Sequence, residues 1–292
     1  MVDTGLKDKV VVVTGGNNPK GIGAATASAF AAQGAKVFIH YFRAKHELVK
    51  DLSDIRESGE DWYNAAQTMA ADHVIDAIRA GGGRAEACEA DLAEPSMAST
   101  LFDRAEKTFG PVQVLVNNAA YCAPDTFLPS HAGDRTIGGL GPLMRAITAA
   151  SHDQHFAVNC RAVALLMKEF ARRHIARGAH LGWIINVSTD GAAGFPNEIS
   201  YWASKHALES YSRAAAVELA PYGIAVNVVS PGPVQTGWMS REIEEQIVPS
   251  IPMRRVGQPE DIADAIIFLA SEQARWITGQ LLYIGGGNRM PL

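Results

Sequence analysis

Short apolar runs recur along the chain, separated by stretches of helical character: Val10 to Val13, Lys36 to Ile39, Val112 to Val116, Trp183 to Val187, Ile224 to Val229 and Leu281 to Ile284. A weaker run, Arg84 to Ala90, precedes Asp91. Apolar character that is continuous rather than alternating suits strands covered on both faces. Such strands alternating with helices predict right-handed crossovers and an α/β fold built on a doubly wound parallel sheet of about seven strands. Gly21 to Gln33 reads as an Ala-rich helix that Gly34 ends. Pro95 is expected in the first turn of a helix running towards Phe109, and Pro259-Glu260-Asp261 opens another over Ile262 to Ala270. Two connections exceed what a crossover needs: 43–83, with a break at Ser58-Gly59, and 121–151, which holds Gly138-Gly139-Leu140-Gly141-Pro142. Long connections at one rim of a regular sheet are expected to serve function or assembly.

With 47% apolar and 20% charged residues, the 292-residue chain has the balance of a soluble globular protein, and no linker divides it. One domain over 1–292 is therefore expected. A formal charge of −5 without a Lys/Arg run gives no footprint for nucleic acid or a membrane surface, which favours a small-molecule partner. No apolar stretch approaches the roughly 18–20 residues of a bilayer span, and Met1 to Asp8 has no leader pattern, so a cytoplasmic location is expected. Cys88, Cys122 and Cys160 are widely spaced and read as reduced thiols. His152 and His155 share a helix face without a third ligand, so no metal is expected.

The first strand runs into Thr14-Gly15-Gly16-Asn17-Asn18-Pro19-Lys20-Gly21-Ile22-Gly23. Glycines there let a backbone approach a pyrophosphate, and the following helix aims unpaired N–H groups at its charge. By itself this turn equally suits a plain strand-to-helix connection. Taken in order with Asn117-Asn118-Ala119-Ala120, Tyr201-Trp202-Ala203-Ser204-Lys205, Ser230 to Thr236, and Ile277 to Gln280 with Gly285-Gly286, the chain from Lys9 to Gly287 resembles the short-chain dehydrogenase/reductase family. Its look is that of bacterial members such as 3-oxoacyl-carrier-protein reductases. The resemblance implies a Rossmann-type fold and an NAD(P)-dependent alcohol dehydrogenase or carbonyl reductase. Two departures stand out: five residues separate Gly15 from Gly21 where the family has three, and Ala120 replaces glycine.

Hydride transfer to a ketone builds negative charge on oxygen, which calls for a proton donor and a polarising group. The resemblance assigns the proton to Tyr201, with Lys205 one helical turn away favouring the phenolate. It assigns the substrate hydrogen bond to Ser188, 13 positions before Tyr201, with Thr189 as an alternative hydroxyl, and a water relay to Asn159. Cofactor contacts are expected from Gly15, Asn17, Lys20, Gly21, Ile22, Tyr41, Arg43, Asp91, Leu92, Asn117, Ala119, Tyr201, Lys205, Pro231, Gly232, Val234 and Thr236. The second strand ends His40-Tyr41-Phe42-Arg43 with no carboxylate to repel a 2′-phosphate, and Lys20 and Arg43 supply cations, so NADP(H) is favoured over NAD(H). Asp91 is read either as an adenine contact or as a helix cap.

The segment Gly237 to Val256 is expected to wall the substrate pocket, with Trp238, Met239 and Met253 as apolar lining. The helices from Asn159 and from Tyr201 commonly form subunit contacts in this family, so a homotetramer is expected, a dimer next. A non-catalytic nucleotide sensor of the same fold is the rival reading. Retention of Asn159, Ser188, Tyr201 and Lys205 together speaks against it. Reduction of an activated C=C bond is the nearest enzymatic alternative, although family members that do this space tyrosine and lysine more widely.

Overall fold

The computed structural model describes residues 3–44, 52–129, 145–194 and 196–288. The strands are β1 (Val10–Thr14), β2 (Lys36–Tyr41), β3 (Arg84–Glu89), β4 (Val112–Asn117), β5 (Asp125–Thr126), β6 (Arg145–Ala146), β7 (Gly182–Val187), β8 (Ile224–Pro231) and β9 (Leu281–Ile284). Seven of them form one parallel sheet in the order β3-β2-β1-β4-β7-β8-β9, and β5 pairs with β6 outside it. All seven apolar runs are therefore strands of the expected doubly wound sheet.

The helices are α1 (Ile22–Ala32), α2 (Glu60–Gln67), α3 (Asp72–Ala80), α4 (Met97–Phe109), α5 (Ala149–Phe156), α6 (Val163–Ala176), α7 (Ile199–Leu219), α8 (Arg241–Ile247) and α9 (Pro259–Leu269). Why the strands read as unbroken apolar runs is plain in β1. Val11 and Val13 pack with Ala27 and Phe30 of α1, Ile78 of α3 and Ile266 of α9 on one face. Val10 and Val12 pack on the other with Leu101 of α4, Leu166 and Phe170 of α6 and Leu208 of α7. Each fully buried side chain of this size contributes about 1.5–3 kcal/mol by leaving water. Side chains alternate across the sheet, and both sides are dry.

One boundary differs from expectation and two agree with it. Pro95 lies ahead of α4, whose N-cap is Ser96. Gly34, at φ +80°, closes α1 as expected. The 43–83 connection folds as a short 3-10 turn (Leu52–Asp54), α2 and α3, with Gly59 capping α2 at the expected break. In the 121–151 connection, the run from Gly138 to Pro142 lies outside the described residues. Between α5 and α6 the chain winds as a π-helix, Ala157–Ala162, a local widening that carries Asn159.

The strand order reverses beside β1, whose neighbours are β2 and β4. Open α/β sheets bind ligands in the crevice such a reversal leaves at the carboxyl ends of the strands. Thr14, Asn117, Val187 and Pro231 all end strands at that rim.

Candidate active site

At the nucleotide end, the turn after β1 is held by the protein itself. Thr14 Oγ1 accepts from the Asn118 and Ala119 N–H groups, each at 3.0 Å. Asn118 Nδ2 returns bonds of 2.9 Å to the Thr14 and Gly15 carbonyls. Gly15, at φ +73°, has no room for a side chain, because a Cβ would sit 2.7 Å from Ala119 Cα. His40 stands behind the turn: its Nε2 meets the Ala90 carbonyl at 2.8 Å, and its Nδ1 faces the Gly15 N–H at 3.4 Å. Burial pulls its pKa down to about 4, so the ring is neutral and one tautomer serves both contacts.

A dinucleotide fits this end. Gly21 caps α1 with extended backbone, no side-chain cap bond and no acid in the first turn, which leaves the helix's leading N–H groups for a phosphate. Gly15 lies in the turn just after β1, Gly21 is the N-cap of α1 and Ile22 its first residue. Ala119 follows the β4 strand end, and Gly232 packs against Gly285 at the end of β8.

Several expected contacts are spent elsewhere. Asn17 is buried and its Nδ2 reaches three carbonyls of the 43–83 connection and its approach: Met69 at 2.9 Å, Gln67 at 3.3 Å and Phe42 at 3.4 Å. Asn117 ends β4 with its side chain inside the sheet, donating at 2.7 Å to Asn186, which in turn donates to Ser212 at 2.7 Å. Arg43 is locked in a forked pair with Glu89, at 2.8–3.0 Å, because β2 and β3 set Tyr41 opposite Glu89. Its charge is thus neutralised by a carboxylate from the neighbouring strand. Lys20 meets no carboxylate among the described residues; its Nζ donates to Ser58 Oγ at 2.9 Å and lies 4.2 Å from the Trp62 ring centre. Asp91 Oδ1 accepts from the Ala93 N–H at 2.8 Å, a local turn rather than a cap of α4, and the Leu92 side chain is buried, leaving its main chain to a ligand. Tyr41 is half-buried at the end of β2. Val234 likewise sends its side chain into the core, and the Thr236 carbonyl takes the Asn18 amide at 3.0 Å.

At the chemical end, Lys205 is fully buried and its Nζ donates at 2.7 Å to the Val187 carbonyl, the last of β7. It lies 5.8 Å from the Tyr201 ring centre, and burial pulls its pKa down to about 8. Tyr201 departs from expectation in sign. Desolvation, then Cys122 and Glu198, push its phenol well above the ordinary value, so the proton is held on rather than released. The ammonium that was to favour the phenolate is engaged with a carbonyl and is itself desolvated.

Ser188 departs too: its Oγ donates at 2.6 Å to Glu209 Oε1, a buried carboxylate two turns along α7 from Tyr201. Both ends of the Asn159 amide are engaged, accepting from the Tyr121 N–H at 2.7 Å and donating to the Tyr121 carbonyl and to Ser204 Oγ. Sequence reasoning missed Glu209, His40 and Asn118. Only Asn118 had a signal, as the second asparagine of its pair. Met239 belongs to a small core with Ile251 and Val256, and Met253 is exposed. A cleft of about 620 Å³ lies outside the catalytic group, between Ser58, Gln235, Met239 and Glu244. His155 is buried and satisfied by the Ala123 N–H and Ser151 carbonyl, and the described residues hold no cluster suited to a metal. No described helix is long and apolar enough to cross a membrane.

A family model described as enoyl-(acyl carrier protein) reductase matches residues 53–289. The chain is similar to an uncharacterised oxidoreductase of Bacillus subtilis, 33% identical over 96% of this chain and 97% of the other. It is 34% identical to L-rhamnose 1-dehydrogenase (NAD(P)(+)) of Azotobacter vinelandii over 97% of each. Among solved structures, a blue fluorescent protein from a metagenomic library, in complex with NADPH, superposes with a TM-score of 0.74 at 29% identity, covering 98% of this chain and 99% of that one.

Proposed function

The chain belongs to the short-chain dehydrogenase/reductase family, and from that premise we propose that it interconverts a carbonyl and a secondary alcohol by hydride transfer with NADP(H). The observation that carries this reading is the buried Lys205 ammonium beside Tyr201, at the carboxyl rim of the sheet. A bound nicotinamide dinucleotide supplies or takes the hydride. Tyr201 gives its proton to the oxygen as negative charge builds there, and burial, by keeping that proton in place, prepares the residue for the reductive direction. In oxidation Lys205 supplies the positive charge that makes proton loss from Tyr201 less costly.

Ser188 polarises the same oxygen, for which its hydroxyl must turn from Glu209. Asn159 holds Tyr121 and Ser204 in place; since its amide is fully engaged, the expected relay role falls to its main chain. Support for NADP(H) is the absence of a carboxylate at the end of β2 and the presence of Lys20, with Arg43 contributing little while Glu89 neutralises it. Assembly as a homotetramer, acting on a small molecule in the cytoplasm, completes the proposal. Exposed Tyr211 and Val217 on α7 and Ile175 on α6 suit subunit contacts, which light scattering checks.

Tyr201→Phe is the direct test: turnover of ketones and secondary alcohols should fall at least a thousandfold, on the order of 4 kcal/mol in the barrier, while dinucleotide binding by calorimetry stays within a few-fold. Substantial residual turnover defeats the assignment. Running NADPH and NADH side by side, with an enone included, tests the cofactor and the C=C alternative together.

A further inference from the structure

The widened turn after β1 and the long 43–83 connection meet in space. Residues 58–69 run as a strap across the mouth of the site, tied at each end. At the nucleotide turn, Asn17 Nδ2 holds the Met69 carbonyl at 2.9 Å and Lys20 Nζ holds Ser58 Oγ at 2.9 Å. At the loop after β8, the Gly59 N–H donates to the Gly237 carbonyl at 2.8 Å, and the Trp62 indole lies on Gly237, where a Cβ would come within 2.0 Å of it. Trp62 is buried against this loop, and the next residue, Tyr63, is half-buried. Tyr63 there acts electrostatically on Tyr201, and Cys122 and Glu198 act on both. Cys122 Sγ points at Glu198 Oε1, 3.5 Å away, and Glu198 stands three residues ahead of Tyr201 at the start of α7.

Resting on the hydride-transfer reading above, we infer that Tyr63, Cys122 and Glu198 form a subsite beside Tyr201 for the hydroxyl groups of a polyhydroxylated substrate, with Tyr63 delivered by the strap. The three side chains offer a phenol, a thiol and a carboxyl. Local desolvation of their polar ends, with Glu198 close by, favours the neutral forms of the phenol and the thiol around neutral pH. A carboxyl accepts two hydroxyl protons from a vicinal diol, and the phenol can donate to a hydroxyl oxygen or accept from it. An alkyl ketone adds no hydrogen bond to the three, which keep only Cys122 with Glu198 and Tyr63 with Gln67. An anionic substrate meets Glu198 at the same place. Sites built around substrate hydroxyls reject the analogue lacking them by up to ~10⁴–10⁵.

Cys122 provides a readout that does not depend on turnover, because it is the exposed thiol while Cys88 and Cys160 are buried. Alkylation by iodoacetamide at about pH 9.5, chosen because desolvation and Glu198 hold the Cys122 thiol above its ordinary value, is followed by mass spectrometry with ribitol or with 2-pentanol present. Ribitol should slow modification of Cys122 about tenfold at saturation, and 2-pentanol should not. Tyr63→Phe and Glu198→Gln, checked for an unchanged melting temperature, should each lose that protection, whereas Tyr201→Phe should keep it. Equal protection by both alcohols, or by neither, overturns the subsite. Protection by ribitol without oxidation of any alcohol leaves the subsite standing and removes the hydride-transfer reading. Turnover that favours 2-pentanol does the reverse.

Discussion

The two ends of the site are finished to different degrees. At the nucleotide end, Thr14, Asn17, Asn18, His40 and Asn118 are all satisfied by backbone groups of neighbouring segments. At the chemical end, Lys205 and Ser188 are buried and Tyr201 is half-buried with a desolvated phenol, in protonation states or pairings that the reaction must change. One end is a scaffold set before any ligand arrives, and the other is held away from its resting preferences by burial. Substitutions should accordingly cost stability at the first and rate at the second.

The largest expected effect sharpens this contrast at the chemical end. Ser188→Ala should lower kcat/KM by about 10²–10³, roughly 3–4 kcal/mol in the barrier, and lower the unfolding free energy by less, about 1–2 kcal/mol, through the buried Glu209 carboxylate that loses its donor, as measured by steady-state kinetics and urea titration. Equal losses in both would erase the distinction between the ends.

Next comes the pH dependence of stability set by Lys205. Its folded pKa, about 8, lies below its unfolded value, so between the two the unfolded chain binds more protons. Stability should therefore rise with pH above 8, by up to roughly 1.4 kcal/mol per pH unit from this group. Below 8 the penalty for the buried ammonium is constant. Lys205→Met should flatten that rise in urea titrations run from pH 8 to 9.5.

Asn17→Ala tests the other end. It should cost about 1 kcal/mol through the carbonyls it leaves unpaired and raise proteolytic cleavage within 58–69, while kcat changes less than twofold. Smallest of all, Lys20→Met should reduce the NADPH over NADH preference a few-fold, about 1 kcal/mol or less for a partly exposed charge.

What could be read from the sequence follows from how local each feature is. Strands buried on both faces show themselves as apolar runs, and the Tyr201-Lys205 pair and Gly34 act within one turn of chain. Asn117 and Asn118 look interchangeable in sequence, yet strand alternation sends 117 into the sheet and leaves 118 to hold the turn. Arg43 looked available to a phosphate because Glu89 is 46 residues away and becomes its neighbour only when β3 joins the sheet beside β2. Ser188 lost its expected freedom in the same manner, to Glu209 on a different element. Nothing in local composition marks the π-helix or the β5–β6 pair.

That π-helix has a mechanical meaning. Each residue advances an α-helix by about 100°, so the wider turn at Ala157–Ala162 acts as a phase shifter between α5 and α6. With it, α6 brings Leu166, Met167 and Phe170 to the sheet while Arg172 stays in solvent. Deleting one residue there would re-time everything downstream, turning a charged face towards the sheet or swinging Asn159 away from Tyr121. Chain length at this point, more than the identity of any side chain, keeps the helix in step with the site.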